Sequence, residues 1–239
     1  MALKASDLTV EIFADGADKS GILALNENPQ IKGFTTNPTL MRNAGITDYR
    51  AFAKDLLKSI PDKPISFEVF SDEWDDMERQ ALEIAEWGSN VFVKIPITNT
   101  KQESSAKLIE RLVAAGVKLN VTALMTIKQT KTISDVLKGG PPSNISIFAG
   151  RIADTGRDPL PIMQEALEIM SQDPNQKLIW ASPRELFNIV QAHNIGCHII
   201  TVTHDLLKKL PTVGKDLDEF SLDTVKMFYD DARSAGFKL

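Results

Sequence analysis

Residues 91–96 read Val91-Phe92-Val93-Lys94-Ile95-Pro96. Apolar, mostly β-branched or aromatic residues flank a single lysine, and the run stops at a proline. That is the signature of a strand covered on both faces. Upstream, residues 72–87 have a helical period, open on acidic side chains and run into Gly88, as a helix does at its two ends. Downstream, residues 102–115 repeat the pattern and end at Gly116. Outward from this centre, short apolar runs recur at 8–15, 31–36, 65–70, 118–123, 145–150, 177–182 and 197–203, making eight with 91–96. Further helical segments fall at 126–137, 159–170, 183–193 and 205–210. The first of these stops at Gly139-Gly140-Pro141-Pro142, and a last segment, 221–235, lies beyond the eighth unit. Eight strands alternating with helices predict an α/β fold, a single (β/α)8 TIM barrel over 1–239. Residues 217–239 then form an extra C-terminal helical arm. An open doubly wound sheet is the runner-up, but no Gly-rich dinucleotide fingerprint follows any strand.

Composition narrows the function. The 239 residues are 43% hydrophobic and 25% charged, ordinary for a globular chain of this length. Cys197 is the single cysteine, which excludes a disulfide framework and a Cys-based zinc site. His193, His198 and His204 lack ligand spacing and read as structural or surface residues, so neither a metal nor a cofactor is expected. A net charge of −5 argues against nucleic acid as a partner. No apolar run approaches the ~18–20 residues of a membrane span. Met1 to Asp7 shows no signal-peptide pattern, and a cytoplasmic location is the expectation.

Strand side chains alternate between two faces, and in a barrel one face is the interior. One parity is nearly all apolar, as in Val91, Val93 and Ile95, or Ile145, Ile147 and Ala149. The other carries Asp15, Glu68, Lys94, Asn120, Thr122, Ser146 and Ser182, mostly near the C-terminal ends of their strands, where barrel enzymes build active sites. Trp180 falls on this inward parity too. Buried charges cost several kcal/mol unless paired, roughly, so such a set needs a reason. Lys94 reads either as a lysine snorkelling to the rim or as a Schiff-base nucleophile, since desolvation disfavours its ammonium. Asp15 and Glu68 are its partners or its proton shuttles. Asn120 and Thr122 satisfy one another or a polyol.

At these residues the sequence resembles the transaldolase family of class I Schiff-base enzymes. The resemblance is carried by Phe13-Ala14-Asp15-Gly16-Ala17-Asp18, Gly33-Phe34-Thr35-Thr36-Asn37-Pro38-Thr39-Leu40, Ser66-Phe67-Glu68-Val69, Val93-Lys94-Ile95-Pro96, Asn120-Val121-Thr122-Ala123, Ser146-Ile147-Phe148-Ala149-Gly150-Arg151-Ile152 and Ala181-Ser182-Pro183-Arg184. Seven stretches in family order, each at a strand end, are specific where any one alone is weak. The resemblance implies that Lys94 forms an imine with a donor ketose phosphate and that Asp15 exchanges a proton with the C4 hydroxyl. It implies that Glu68 and Thr122 activate a water. Thr35, Asn37, Asn120 and Ser146 would bind the dihydroxyacetone hydroxyls, and Arg151, Ser182 and Arg184 the terminal anion. The alternative for the two arginines is a surface ion pair with Asp154 or Glu185. In the aldolase branch Gln stands at position 68 and Tyr at 148; Glu68 and Phe148 here favour group transfer to an aldose phosphate.

Three departures matter. Gly16 stands where Ser or Thr is usual, Ala153 where an acidic residue often follows, and Pro183 where an aromatic separates Ser182 from Arg184. The last leaves the terminal anion open between phosphate and a group such as sulfonate. A place in the pentose phosphate pathway follows from the resemblance. So does a homo-oligomer, pentameric or decameric, with the C-terminal arm packed on a neighbouring subunit or on its own barrel. A fructose-6-phosphate aldolase and a barrel that binds a sugar phosphate without turnover are the competing functions.

Overall fold

A computed structural model describes residues 3–238. Its elements run β1 (Glu11–Asp15), α1 (Lys19–Asn26), β2 (Ile31–Thr35), α2 (Pro38–Asn43), α3 (Tyr49–Ser59), β3 (Ile65–Glu68), α4 (Trp74–Ala85), β4 (Val91–Pro96) and α5 (Ala106–Ala114). Then follow β5 (Leu119–Leu124), α6 (Ile127–Leu137), β6 (Ser143–Ile147), α7 (Ala149–Asp154), α8 (Leu160–Met170), β7 (Gln176–Trp180), α9 (Phe187–Asn194), β8 (Ile199–Thr203), α10 (His204–Leu207) and α11 (Leu217–Ser234). The eight strands are parallel, pair in sequence order and close into a barrel through β8 and β1. The chain is a (β/α)8 barrel with an added C-terminal helix.

The early helices α1 and α2 are too short to show a hydrophobic period, whereas α3 has one, with Ala53, Leu56 and Leu57 buried on one face. All three begin at a capping residue. Asp18 accepts from the Gly21 N–H at 2.7 Å, Asn37 from Leu40 N–H at 2.9 Å with Pro38 at the first helical position, and Asp48 from Ala51 N–H at 2.9 Å. Each satisfies a backbone donor that a helix start leaves free.

The apolar residues form two separate clusters. The large one joins outward strand residues such as Ile12, Val93, Val121 and Ile147 to helix residues such as Leu56 and Ile109. The small one is inside the barrel: Phe13, Ile179, Ala181 and Ile199, with Phe148 packed against it. Gly33 makes room for it, because a Cβ there would lie 2.6 Å from the Phe13 ring. This plug closes the interior beneath the polar residues.

One strand corrects the sequence reading. At β7 the inward residues are Ile179 and, just past the strand end, Ala181, while Trp180 packs in the outer cluster. Ile-Trp-Ala is apolar on both parities, so alternation carries no information there. Ser182 lies past the strand end, in a left-handed turn (φ 61°), so parity does not extend to it. The sixth run also ends earlier than expected: Ala149 and Gly150 open α7.

The C-terminal helix α11 has no buried residue. Leu217, Phe220, Val225 and Phe228 share one stripe at helical spacing, and Leu217 and Phe228 are 80% and 63% exposed. Among the described residues no helix is long and apolar enough to cross a membrane.

Candidate active site

Strand register assembles the barrel mouth. Glu68 on β3 pairs with Lys94 on β4, and Lys94 with Asn120 on β5. Side chains at paired positions of a parallel sheet point the same way, so the three meet inside. Lys94 Nζ lies 3.1 Å from Glu68 Oε2 and donates to the Thr36 carbonyl at 2.9 Å. The lysine side chain is 9% exposed and the glutamate 18%. For Nζ to act as a nucleophile it must first give up a proton, and this carboxylate is placed to take it.

Asp15 ends β1 beside Thr35 of β2. Thr35 Oγ1 donates to Asp15 Oδ1 at 2.8 Å and is in turn bonded to Thr201 Oγ1. Asn37 Nδ2 lies 3.5 Å from Asp15 Oδ2, the limit of a hydrogen bond. Burial pushes the Asp15 carboxyl above its ordinary value, against the Lys94 charge and the Thr35 hydrogen bond, which favour the carboxylate.

Across the barrel a neutral chain joins three strands. Asn120 Nδ2 donates to Ser66 Oγ at 3.0 Å, and Ser146 Oγ donates to Asn120 Oδ1 at 2.7 Å. Thr122 is buried and its hydroxyl has no protein partner. Register between β5 and β6 breaks after Val121, and Ala123 adopts φ 67°. Such a bulge re-aims side chains and is strained for a residue with a Cβ.

Arg151, Ser182 and Arg184 form a second group at the rim. Arg184 Nε bonds Asp154 Oδ1 at 2.9 Å and its Nη2 bonds Asp154 Oδ2 at 2.5 Å. Its Nη1 donates to Ser182 Oγ at 2.8 Å. The guanidinium is therefore fixed in orientation by a bidentate pair. That hydrogen bonding holds the Asp154 carboxyl below its usual range, with the positive charges of Arg184 and Arg151 acting the same way. Arg151 is exposed, its guanidinium 5.9 Å from the centre of the Phe148 ring. Gly150 permits the close approach of α7 to the Ser182 turn, since a Cβ on it would meet the Ser182 carbonyl oxygen at 1.6 Å.

Sequence reasoning missed Thr201, which completes the bonding of Thr35, and Tyr49. The Tyr49 hydroxyl accepts from Glu68 N–H at 2.7 Å and donates to the Glu68 carbonyl at 3.0 Å. It sits at the start of α3, and no strand-parity rule reaches it. Tyr49→Phe is expected to lower stability by about 1–3 kcal/mol, because both backbone groups at the end of β3 lose their partner. Urea denaturation measures this; an unchanged midpoint contradicts it. Two of the three histidines are structural: His193 Nδ1 meets Thr9, and His198 Nδ1 accepts from Leu178 N–H. Burial pushes the Cys197 thiol up to about 12, which makes it inert.

Comparison with known proteins adds the family. The family model for transaldolase/fructose-6-phosphate aldolase matches residues 12–239. A probable transaldolase of Thermoanaerobacter sp. (strain X514) is 32% identical over 231 residues, 96% of this chain and 100% of that protein. Probable transaldolase 2 of Listeria monocytogenes is 33% identical over 218 residues, 90% of this chain and 95% of that protein. A probable transaldolase of Streptococcus agalactiae is 34% identical over 222 residues, 88% and 99%. The crystal structure of KGPDC from Streptococcus mutans aligns with TM-score 0.59 at 12% identity, covering 86% of this chain and 93% of that one, a likeness of fold alone.

Proposed function

The chain belongs to the transaldolase/fructose-6-phosphate aldolase family, and from that premise we propose that it transfers a dihydroxyacetone unit from a ketose phosphate to an aldose phosphate through an imine on Lys94. The observation that carries the reading is the pairing of a buried amine with Glu68 at 3.1 Å, in a mouth whose other side holds Asp15.

The steps follow from the positions. Glu68 takes a proton from Lys94 Nζ, which attacks the C2 carbonyl; loss of water leaves the iminium. Asp15 takes the C4 hydroxyl proton. The C3–C4 bond breaks, its electron pair moves to C3 and into the iminium, and an aldehyde leaves. The enamine then attacks an acceptor aldehyde, whose oxygen recovers the proton from Asp15. Thr35, Asn37, Asn120 and Ser146 offer neutral donors and acceptors to the hydroxyls of the three-carbon unit. Thr122, with its free hydroxyl, would hold the water of imine formation and hydrolysis with Glu68. Phe148 leaves that water without a phenol, which supports transfer over release. The Arg184 fork and Arg151 supply charge for a terminal phosphate.

The test is release of glyceraldehyde 3-phosphate from fructose 6-phosphate with and without erythrose 4-phosphate. Turnover is expected to require the acceptor; turnover independent of it rejects transfer in favour of an aldolase. The same assay with a sulfonated ketose fixes the terminal anion.

We also propose that the protein assembles as a homo-oligomer through α11. A stripe of Leu217, Phe220, Val225 and Phe228 left in solvent is the kind of apolar patch that marks an interface. Sedimentation is expected to give an assembly of the intact chain and a smaller species for a chain ending at residue 216. A monomeric intact chain overturns it.

A further inference from the structure

We propose that Tyr49 is a positioning residue acting through Glu68 and Thr36: its hydroxyl takes the two ladder bonds that β2 does not give Glu68, and so leaves the Thr36 carbonyl free to hold the Lys94 amine. The inference rests on the Schiff-base reading above and concerns how its nucleophile is aimed.

Strands β2 and β3 pair at only two positions, Phe34 with Ile65 and Thr35 with Ser66. Phe34 N–H donates to the Pro64 carbonyl at 2.9 Å, and Thr36 N–H to the Ser66 carbonyl at 3.2 Å. A parallel ladder continues such bonds at even spacing. The next one from β3 would run from Glu68 N–H to the Thr36 carbonyl. The next one from β2 would run from the N–H of residue 38 to the Glu68 carbonyl. Neither forms. Residue 38 is a proline and has no N–H to give. The Thr36 carbonyl accepts instead from Lys94 Nζ, at 2.9 Å. Both backbone groups of Glu68 therefore lose their strand partners at the residue placed beside the amine.

Tyr49 supplies both. Its hydroxyl accepts from Glu68 N–H at 2.7 Å, in place of the Thr36 carbonyl. It donates to the Glu68 carbonyl at 3.0 Å, in place of the N–H that Pro38 lacks. One phenol can do both because it carries a donor and an acceptor on the same atom. Three aromatic neighbours fix the ring: Phe70 edge-on at 4.8 Å between centroids, Trp87 at 5.8 Å and Phe67 at 6.2 Å.

The consequence falls on the amine. Nζ sits between the Thr36 carbonyl and Glu68 Oε2, which is 3.1 Å away. Without the phenol, Glu68 N–H competes with Nζ for the Thr36 carbonyl, its ladder acceptor. The end of β3 is then drawn toward β2. The amine loses its neutral acceptor, and the carboxylate that takes its proton moves with the backbone. Pro38 opens α2, and the Asn37 cap before it reaches toward Asp15. The turn that serves Asp15 thus ends β2 beside Glu68, and Tyr49 closes the gap.

The test compares the full-length native protein with Tyr49→Phe, which keeps the ring and removes the hydroxyl. Met170→Ala is the control, a buried change at the last residue of α8, where that helix leads back to the opposite end of the barrel. All are assayed at a temperature where each is folded. The measurements are the rate of Lys94 labelling by borohydride with fructose 6-phosphate, kcat and KM for transfer to erythrose 4-phosphate, and the urea midpoint. Tyr49→Phe is expected to slow labelling by about 10-fold or more, and to lower kcat with KM little moved. Met170→Ala is expected to lower the midpoint while keeping native rates. Labelling of Tyr49→Phe at the native rate, a loss seen only in KM, or an equal slowing in Met170→Ala overturns the proposal and makes Tyr49 a residue of stability alone. Absence of labelling in the native protein instead overturns the Schiff-base reading itself.

Discussion

Lys94→Met is expected to abolish borohydride labelling by fructose 6-phosphate and to lower transfer by about 10⁴-fold, the scale of losing a covalent nucleophile. Methionine keeps most of the side-chain volume, so the substitution opens no large cavity. What it removes is the amine, together with its bonds to Glu68 and Thr36. Glu68 is then left without its partner, which costs about 3 kcal/mol, the lower end for a broken buried pair, because Glu68 reaches the mouth. Activity and stability therefore fall together, and labelling separates them. An adduct that still forms on the variant, on any other lysine, removes the amine from the mechanism whatever the rate. Intact-mass analysis after reduction gives the answer directly, and denaturation of the unlabelled variant gives the stability loss.

The barrel was legible because its strands repeat one pattern eight times, and β4 matches its predicted range at both ends. Lys94 stood out for the same reason: a charge in a run covered on both faces has to be inside. Legibility failed where the pattern carried no contrast. In β7 both parities are apolar, so Trp180 was put inside when it packs outside. Helices α1 and α2 are too short for a period, and their evidence is in single capping residues. Tyr49 was invisible for another reason: it contributes one atom from the start of α3, which no strand parity reaches. Thr201 alternates with Ile200 and Val202, so parity marks it as inward, and its partner Thr35 follows only from closure of β8 against β1 through β2. For Arg184 the ion-pair reading is the one the structure shows. It does pair with Asp154, and the pair aims the fork toward Ser182.

Asp15→Asn is expected to separate the two halves of the chemistry. Imine formation needs Lys94 and Glu68, so labelling with fructose 6-phosphate persists and the adduct accumulates. Carbon–carbon cleavage needs a base at the C4 hydroxyl, so release of glyceraldehyde 3-phosphate falls by about 10²–10⁴-fold. On the proposed mechanism the native enzyme works as the carboxylate. Since burial raises the Asp15 carboxyl above its ordinary value, native activity is expected to fall on the acid side at a pH above ~3.9, the ordinary value. The variant lacks that limb. The same shift has a stability consequence of definite sign. A carboxyl raised in the folded state binds its proton more tightly there than in the unfolded chain. Its contribution is present below the unfolded value and lost as pH rises through the folded one. Wherever Asp15 is ionised it is therefore a burden on the fold, and there Asp15→Asn is expected to melt at a higher temperature than the native protein. The gap should close as the pH is lowered into the ordinary carboxylate range. Thermal melts at several pH values measure it. A gap that is absent at neutral pH, or that does not change with pH, means Lys94 and Thr35 fully offset the burial, and Asp15 would then act with an unshifted carboxyl.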